Sequence, residues 1–364
     1  MRLLPISLCQ PGMRLGKKIY NEEGLVLLGE HVELTEALLR RLTQHGICFL
    51  YIDDPRTDDI VVRELLRDET RAVAMQTIRT HFRRLMEDSN RKKAVNQQIG
   101  KAFREVVGLL IDDLSRHSDA MIMLTSMQLA DHYLYQHSLN VCIYATIMGL
   151  TQKLSREDLT VFSLGALLHD IGKTQLPPAI LTKPGKLTDD EFEAMKQHTV
   201  YGYRLLKDEP NISLLSAHCA FQHHERINGS GYPRGIAGEQ ITEYARWIGV
   251  VDSYDAMTTH RVYRDAMLPH QAMEILYTGA GTLYDKEKIE KFRDKIAIYP
   301  LGVSVTLSTG EAGVVIDLNA AMPQRPIVRI LQDPDGHELE EPYEIDLSKK
   351  LSVMIAAVGL HTPL

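Results

Sequence analysis

The sequence predicts a mainly α-helical protein with a small α/β unit at its N-terminus and a small antiparallel β unit at its C-terminus. Three observations support this fold class. Helical periodicity dominates residues 119–297, short β-like runs occur among residues 1–55, and a second set of β runs occupies residues 298–364. The length of 364 residues fits two or three domains at roughly 150 residues each.

Residues 1–55 have the pattern of a small α/β unit. The runs LGKKIYN, LVLLGE and CFLYID favour strands, Gly24 and Gly29 favour turns, and residues 34–44 have helical spacing that ends near Gly46. A unit of this size buries little apolar surface by itself. We therefore expect it to pack on a neighbouring part of the chain.

Residues 56–118 are densely charged and have the spacing of amphipathic connecting helices. Apolar positions such as Leu65, Val73, Ile78 and Leu85 alternate with arginines. A solvated helical linker, or a stalk that joins two copies of the chain into a homodimer, is the ordinary interpretation. A regulatory arm is the alternative.

Residues 119–297 are predicted to form a helical domain. Ser155 can cap one helix, and Thr188 with Glu191 forms a capping box that opens a helix predicted to run through Leu206. Beyond residue 298, the runs VSVTL, GVVID and PIVRIL are separated by turn residues. They predict a small β-barrel-like unit.

Composition excludes several classes of protein. With 41 Lys and Arg against 48 Asp and Glu, the net charge is −7, so we expect no binding to polymeric DNA or RNA. Four cysteines without C-x-x-C spacing predict reduced thiols in a cytoplasmic protein. The N-terminus lacks a secretory pattern, and the uncharged stretch 132–152 is too polar to span a membrane.

Histidines and aspartates recur within or beside apolar helical sequence. The candidate ligands are His137, His169, Asp170, His198, His223, His224 and Asp252. Each alone has an ordinary explanation, such as a hydrogen-bonded core histidine or a helix cap. Burying so many unpaired ionisable groups would be costly, whereas a shared cluster of divalent cations removes that cost. Asp170 is the carboxylate best placed to bridge two metals.

Three motifs together resemble the HD-GYP group of the HD phosphohydrolase superfamily. They are HDIGK at 169–173, HHERINGSGYP at 223–233 and DSYDAMTTHRVYR at 252–264. The resemblance covers roughly residues 120–297. It implies a helical HD-type domain and metal-dependent hydrolysis of cyclic di-GMP to pGpG, with GMP as a further product.

The resemblance also implies roles for individual residues. The seven candidate ligands would hold two divalent transition-metal ions, with iron or manganese favoured and nickel as an alternative. Lys173 would lie near the scissile phosphate, and Tyr232, Arg261 and Arg264 would contact the phosphates or guanines. Asp255 is assigned to substrate binding, with a structural role as the alternative.

Some positions depart from the family pattern. Tyr133 stands where certain relatives have a carboxylate that binds a third metal, and Asn228, His260 and Val262 replace more usual residues. No expected ligand is missing, which favours an active enzyme. A non-catalytic cyclic dinucleotide sensor and another HD-superfamily nucleotide phosphohydrolase are the alternatives; the Gly-Tyr-Pro block disfavours the second.

Overall fold

The structure, a computed structural model, describes residues 1–21, 23–62, 64–91, 99–117, 133–183, 185–259 and 266–359. The α-helices are α1 (Glu36–Gln44), α2 (Asp68–Arg91), α3 (Ile99–Leu114), α4 (Tyr133–Thr151), α5 (Arg156–Leu168), α6 (Pro178–Leu181), α7 (Asp189–Lys196), α8 (His198–Leu206), α9 (Leu214–Gln222), α10 (Glu243–Thr258), α11 (Pro269–Thr278) and α12 (Lys286–Arg293). The strands are β1 (Arg2–Pro5), β2 (Ile19–Tyr20), β3 (Val26–Leu28), β4 (Phe49–Ile52), β5 (Ser304–Leu307), β6 (Ala312–Asp317), β7 (Ile327–Gln332), β8 (Glu338–Asp346) and β9 (Ile355–Val358). The predicted fold class is confirmed.

Capping explains where two of these helices begin. Ser155 accepts a hydrogen bond from the amide of Asp158, and Thr188 and Glu191 form the predicted capping box. The prediction of one helix from Thr188 through Leu206 was wrong, because α7 ends at Lys196 and α8 begins at His198. This break places His198 in the first turn of a new helix.

The helical core is built around α4, which packs against α2, α3, α5 and α10. Phe82 of α2 and Phe103 of α3 are completely buried in the same core as α4. The segment 56–118 was predicted as solvated connecting helices, yet its described apolar stripe is largely buried, including Ile78 and Leu85, while Val73 stays exposed. Arg83 and Arg84 on α2 are exposed, whereas Arg71 is buried. The division of the chain into four segments stays a prediction.

The two terminal units share a second hydrophobic core. Strand β1 pairs antiparallel with β4, while the C-terminal strands form one antiparallel sheet in the order β8-β7-β6-β5-β9. Leu3 forms a parallel bridge with Val303, and both are buried with residues of both units. The small N-terminal unit thus gains its core from the C-terminal sheet.

Three of the four cysteines, Cys9, Cys142 and Cys219, are buried, and Cys48 is partly exposed. Among the described residues, no helix combines the length and apolar composition needed to cross a bilayer.

Candidate metal centre

Five helical elements bring the seven predicted ligands to one buried cluster. His137 comes from α4, His169 and Asp170 follow α5, His198 opens α8, His223 and His224 follow α9, and Asp252 lies on α10. All are buried except His224, whose side chain is 19% exposed. The seven side chains named from the sequence therefore lie together in one place.

Asp170 lies between two groups of imidazoles. Its Oδ1 atom is 3.4 Å from His198 Nε2 and 3.7 Å from His223 Nε2. Its Oδ2 atom is 3.6 Å from His137 Nε2 and 3.5 Å from His169 Nε2. Two potential ligand sets share this one carboxylate: His137, His169 and Asp170 form one, and Asp170, His198, His223 and His224 form the other.

Asp252 belongs to the first of these sets by position. Its Oδ1 is 3.0 Å from His137 Nε2 and 3.8 Å from His169 Nε2, while its Oδ2 is 3.9 Å from His224 Nδ1. Asp252 therefore lies nearest His137 and also reaches His224, which belongs to the second set.

Backbone carbonyls orient three of the rings. His169 Nδ1 donates to Ala166 O at 2.7 Å, His198 Nδ1 donates to Met195 O at 2.7 Å, and His223 Nδ1 donates to carbonyls of the preceding turn. A carbonyl oxygen only accepts, so the proton is on Nδ1 and the neutral ring turns the Nε2 lone pair inward. This is the arrangement in which histidines bind metals.

Burial keeps most of these rings neutral. It lowers the pKa of His198 to about 4 and also lowers the pKa of His169, His223 and His224. Burial opposes the charge on His137 as well, but its hydrogen bonds to Asp252 and Asp255 outweigh this and raise its pKa to about 9. Neutral imidazoles are the form that coordinates cations.

The cluster fits divalent cations better than it fits a hydrogen-bonded core. Asp170 Oδ1 is buried and has no hydrogen-bond partner among the described residues. Although burial opposes its ionisation, Lys173 and the surrounding imidazoles hold the pKa of Asp170 well below its usual range. A buried carboxylate that faces nitrogen lone pairs is costly unless a cation lies between them. Mixed imidazole and carboxylate ligands suit divalent transition metals.

Lys173, which was predicted to be catalytic, and Tyr232, which was predicted to bind substrate, both reach this cluster. Lys173 lies in a 3-10 turn, Ile171–Gln175, and its Nζ is 2.5 Å from Asp170 Oδ2. The ring of Tyr232 lies against His224, with 4.7 Å between the ring centroids. Arg261 and Arg264 lie outside the described residues, as do His260 and Val262.

The assignment of Asp255 to substrate binding disagrees with its contacts. Asp255 is 1% exposed, and its two carboxylate oxygens contact His137 Nδ1 at 2.7 Å and Asn140 Nδ2 at 2.8 Å. Since both oxygens are occupied inside the protein, Asp255 orients His137. The sequence reasoning missed Asn140; its signal was an amide on an apolar helix, one turn after His137.

Two further residues shape the centre. Glu225 is buried and accepts hydrogen bonds from the amides of Arg234 and Ile236, which holds the loop that carries Tyr232. Gly172 allows α8 to approach the 3-10 turn, because a Cβ there would lie 1.9 Å from the carbonyl oxygen of His198. The sequence analysis assigned neither residue a role at the metal centre.

Comparisons with known proteins agree with this geometry. Residues 110–287 match the HD domain, and residues 304–359 match the KOW domain associated with HD domain. A cyclic di-GMP phosphodiesterase of Pseudomonas aeruginosa is 38% identical over 227 residues, which cover 61% of this chain and 54% of that protein. A cyclic di-GMP phosphodiesterase of Thermotoga maritima is 42% identical over 140 residues, 38% of either chain.

A third relative, a 3'3'-cGAMP-specific phosphodiesterase of Vibrio cholerae, is 34% identical over 168 residues, 46% of this chain and 36% of that protein. The chain thus spans about half the length of these curated relatives, or less. Among solved structures, an HDGYP protein from Bdellovibrio bacteriovorus covers 80% of this chain and 98% of its own, with 14% identity and a TM-score of 0.47.

Proposed function

Since this chain carries an HD domain and belongs to the HD-GYP family, we propose that it is a metal-dependent phosphodiesterase that hydrolyses cyclic di-GMP. The observation that supports this most directly is the carboxylate of Asp170 between two sets of inward-facing imidazoles. The relatives named for hydrolysis of cyclic dinucleotides support the substrate class.

We assign two divalent ions to the seven ligands, with Asp170 shared between them. Iron or manganese is favoured and nickel is the alternative. When bound, such ions lower the pKa of a coordinated water and neutralise negative charge on a phosphate.

The protein's own side chains would bind and orient the substrate. Lys173 would neutralise a non-bridging phosphate oxygen, and Tyr232 would border the phosphate on the His224 side. Arg261 and Arg264 are proposed to contact the phosphates or guanines. Addition of water across one phosphodiester opens the ring to pGpG, and hydrolysis of the remaining phosphodiester gives GMP.

Elemental analysis of anaerobically purified protein, combined with turnover of cyclic di-GMP, tests the proposal. We expect about two metal ions per chain and chromatographic appearance of pGpG. Metal-loaded protein that binds cyclic di-GMP without hydrolysing it would instead be a sensor. A panel that includes 3'3'-cGAMP and nucleoside phosphates decides between cyclic dinucleotides and the other HD-superfamily substrates.

Two properties of the whole protein remain proposals. We propose a cytoplasmic location, which fractionation would test. We also propose that residues 56–118 contribute to a homodimer. Because much of the described apolar surface of α2 and α3 is already buried within the chain, such a dimer would use their outer, charged faces. Light scattering at increasing salt would test this contact.

A further inference from the structure

An aromatic side chain stands exposed at the edge of the metal centre. Phe192 on α7 is 45% exposed, and no residue of α7 is buried. Its ring meets that of Tyr232 edge to face, with centroids 6.3 Å apart. Tyr232 in turn contacts His224. A row of three rings therefore leads from the ligand cluster to an open aromatic face.

One cation lies over this row. Lys196 Nζ is 5.0 Å from the centroid of Phe192 and 5.6 Å from that of Tyr232, and it pairs with Glu193 at 2.6 Å. The cation–π contacts and the ion pair hold the ammonium over the partly exposed ring of Phe192. A planar, polar ligand on this face would meet an aromatic surface and a hydrogen-bond donor together.

We propose that Phe192 is the platform on which a guanine base of the substrate stacks, with Lys196 donating to its O6 or N7 edge. The inference rests on the proposed function, which places a phosphate at the cluster. A nucleotide bound there must direct its base outward, and the His224–Tyr232–Phe192 row gives it an apolar surface to follow. Bases stack readily on aromatic side chains, and lysine is a usual partner of guanine O6 and N7.

A purely structural role explains the exposure of Phe192 less well. The ring meets that of Tyr232 edge to face but is not enclosed, so almost half of its surface contacts water. A single exposed apolar side chain is ordinary on a protein surface, but Phe192 is linked through Tyr232 to the ligand cluster, and aromatic side chains commonly line ligand sites.

Calorimetric binding of GMP and of inorganic phosphate to the metal-loaded protein tests the platform. Phe192→Ala should raise the GMP dissociation constant about tenfold or more and leave that of phosphate within about twofold, and Phe192→Tyr should restore GMP binding. Leu214→Ala is the matched control, because Leu214 is 53% exposed at the opposite end of α9 from His223. Unchanged GMP binding, or equal loss of GMP and phosphate, would overturn the platform.

Lys196→Met tests the base edge separately. We expect this substitution to weaken the binding of GMP more than the binding of AMP. Equal weakening of the two affinities would contradict the proposed contact with guanine. These measurements do not depend on turnover. If wild-type protein fails to hydrolyse cyclic di-GMP but its GMP affinity still depends on Phe192, the proposed function fails and the platform stands.

Discussion

His137 Nδ1 lies 2.7 Å from Asp255 Oδ2, and this contact turns the other nitrogen of the ring toward Asp170 and Asp252. Asn140 holds the second oxygen of Asp255, so a carboxylate and an amide fix one ring between α4 and α10. Partners of this kind maintain the ring orientation on which metal affinity depends.

Asp255→Asn should therefore weaken metal binding while the protein stays folded. An amide at this position cannot accept from both His137 and Asn140, because one of its two ends is a donor. We expect a loss of metal affinity of about 10- to 100-fold, measured by competition with a chelator. Ser253→Ala is the control, since Ser253 on the same helix bonds Tyr284 instead. Wild-type affinity in Asp255→Asn would contradict the orienting role.

Asp170→Ala should remove both of the proposed metal ions, and Asp252→Ala should remove mainly one of them. The difference follows from position, because Asp170 is shared by both ligand sets while Asp252 lies closest to His137. Metal content by mass spectrometry, together with turnover of cyclic di-GMP, measures the two variants side by side. An Asp170→Ala protein that retains two ions or full activity would exclude the bridging carboxylate.

Much of this centre could be predicted from sequence, and the reason is energetic. His137, Asp252 and the other candidate ligands stand within or beside apolar helical sequence, where unpaired ionisable groups are costly, so the set as a whole indicates a shared cation site. The partner of Asp255 could not be predicted in this way. The spacing of Asp255 from Asp252 places both residues on one face of α10, but only the packing of α10 on α4 shows that Asp255 contacts His137.

Long-range packing explains the other differences. The close packing of α8 on the turn at Gly172 is one such contact, and local capping signals do not record it. The core shared by Leu3 and Val303 joins the two ends of the chain. Hydrophobic periodicity identifies which side chains are buried, but it does not identify their neighbours.

Lys173→Met should lower turnover without lowering metal content. Lys173 Nζ is 2.5 Å from Asp170 Oδ2, so removing the ammonium leaves that oxygen free for a metal. In the proposed function, the same change removes the positive partner of the substrate phosphate. We expect kcat/KM for cyclic di-GMP to fall about 100-fold, as for other lost charge-stabilising donors. Lys173→Arg should recover part of the rate. A fall in metal content that parallels the fall in rate would show a role in assembling the centre instead.

Gly172→Ala should destabilise the protein and disturb the ligand set that contains His198. The new Cβ would lie 1.9 Å from His198 O and 2.4 Å from Gly202 N, so α8 must shift. We expect the free energy of unfolding of the metal-free protein, measured by thermal melting, to fall by about 1–3 kcal/mol, which is typical of overpacking. Gly108→Ala in α3 is the matched control, because nothing lies within 4 Å of its Cβ position. That substitution should stabilise the helix by about 0.5–1 kcal/mol. Equal behaviour of the two variants would contradict the close approach.

We expect protonation of Asp113 at acidic pH to lower the free energy of unfolding. Its buried carboxylate accepts from the backbone amide of Arg67 at 3.1 Å and from Arg67 Nε at 2.8 Å, which ties the start of α2 to α3. Burial opposes ionisation, but the hydrogen bonds from Thr70 and Arg67 outweigh it and lower the pKa of Asp113 below its ordinary value of 3.8.

Because the folded state binds this proton less readily than the unfolded state, the stabilisation is fully present above the unfolded pKa of about 4 and is lost as the pH falls through the folded pKa. At pH 7 the free energy of unfolding of Asp113→Asn should be about 1–3 kcal/mol lower than that of wild type, because a buried hydrogen-bonded charge is replaced. The variant should therefore melt at a lower temperature. This difference in stability between wild type and variant should become smaller as the pH falls below about 4, where wild type loses the same charge. The melting experiments use metal-free protein, so that competition between protons and metal ions for the ligand cluster does not change the measured stability. If the difference in stability between the two proteins stays constant as the pH falls well below 4, the charge of Asp113 contributes nothing to folding.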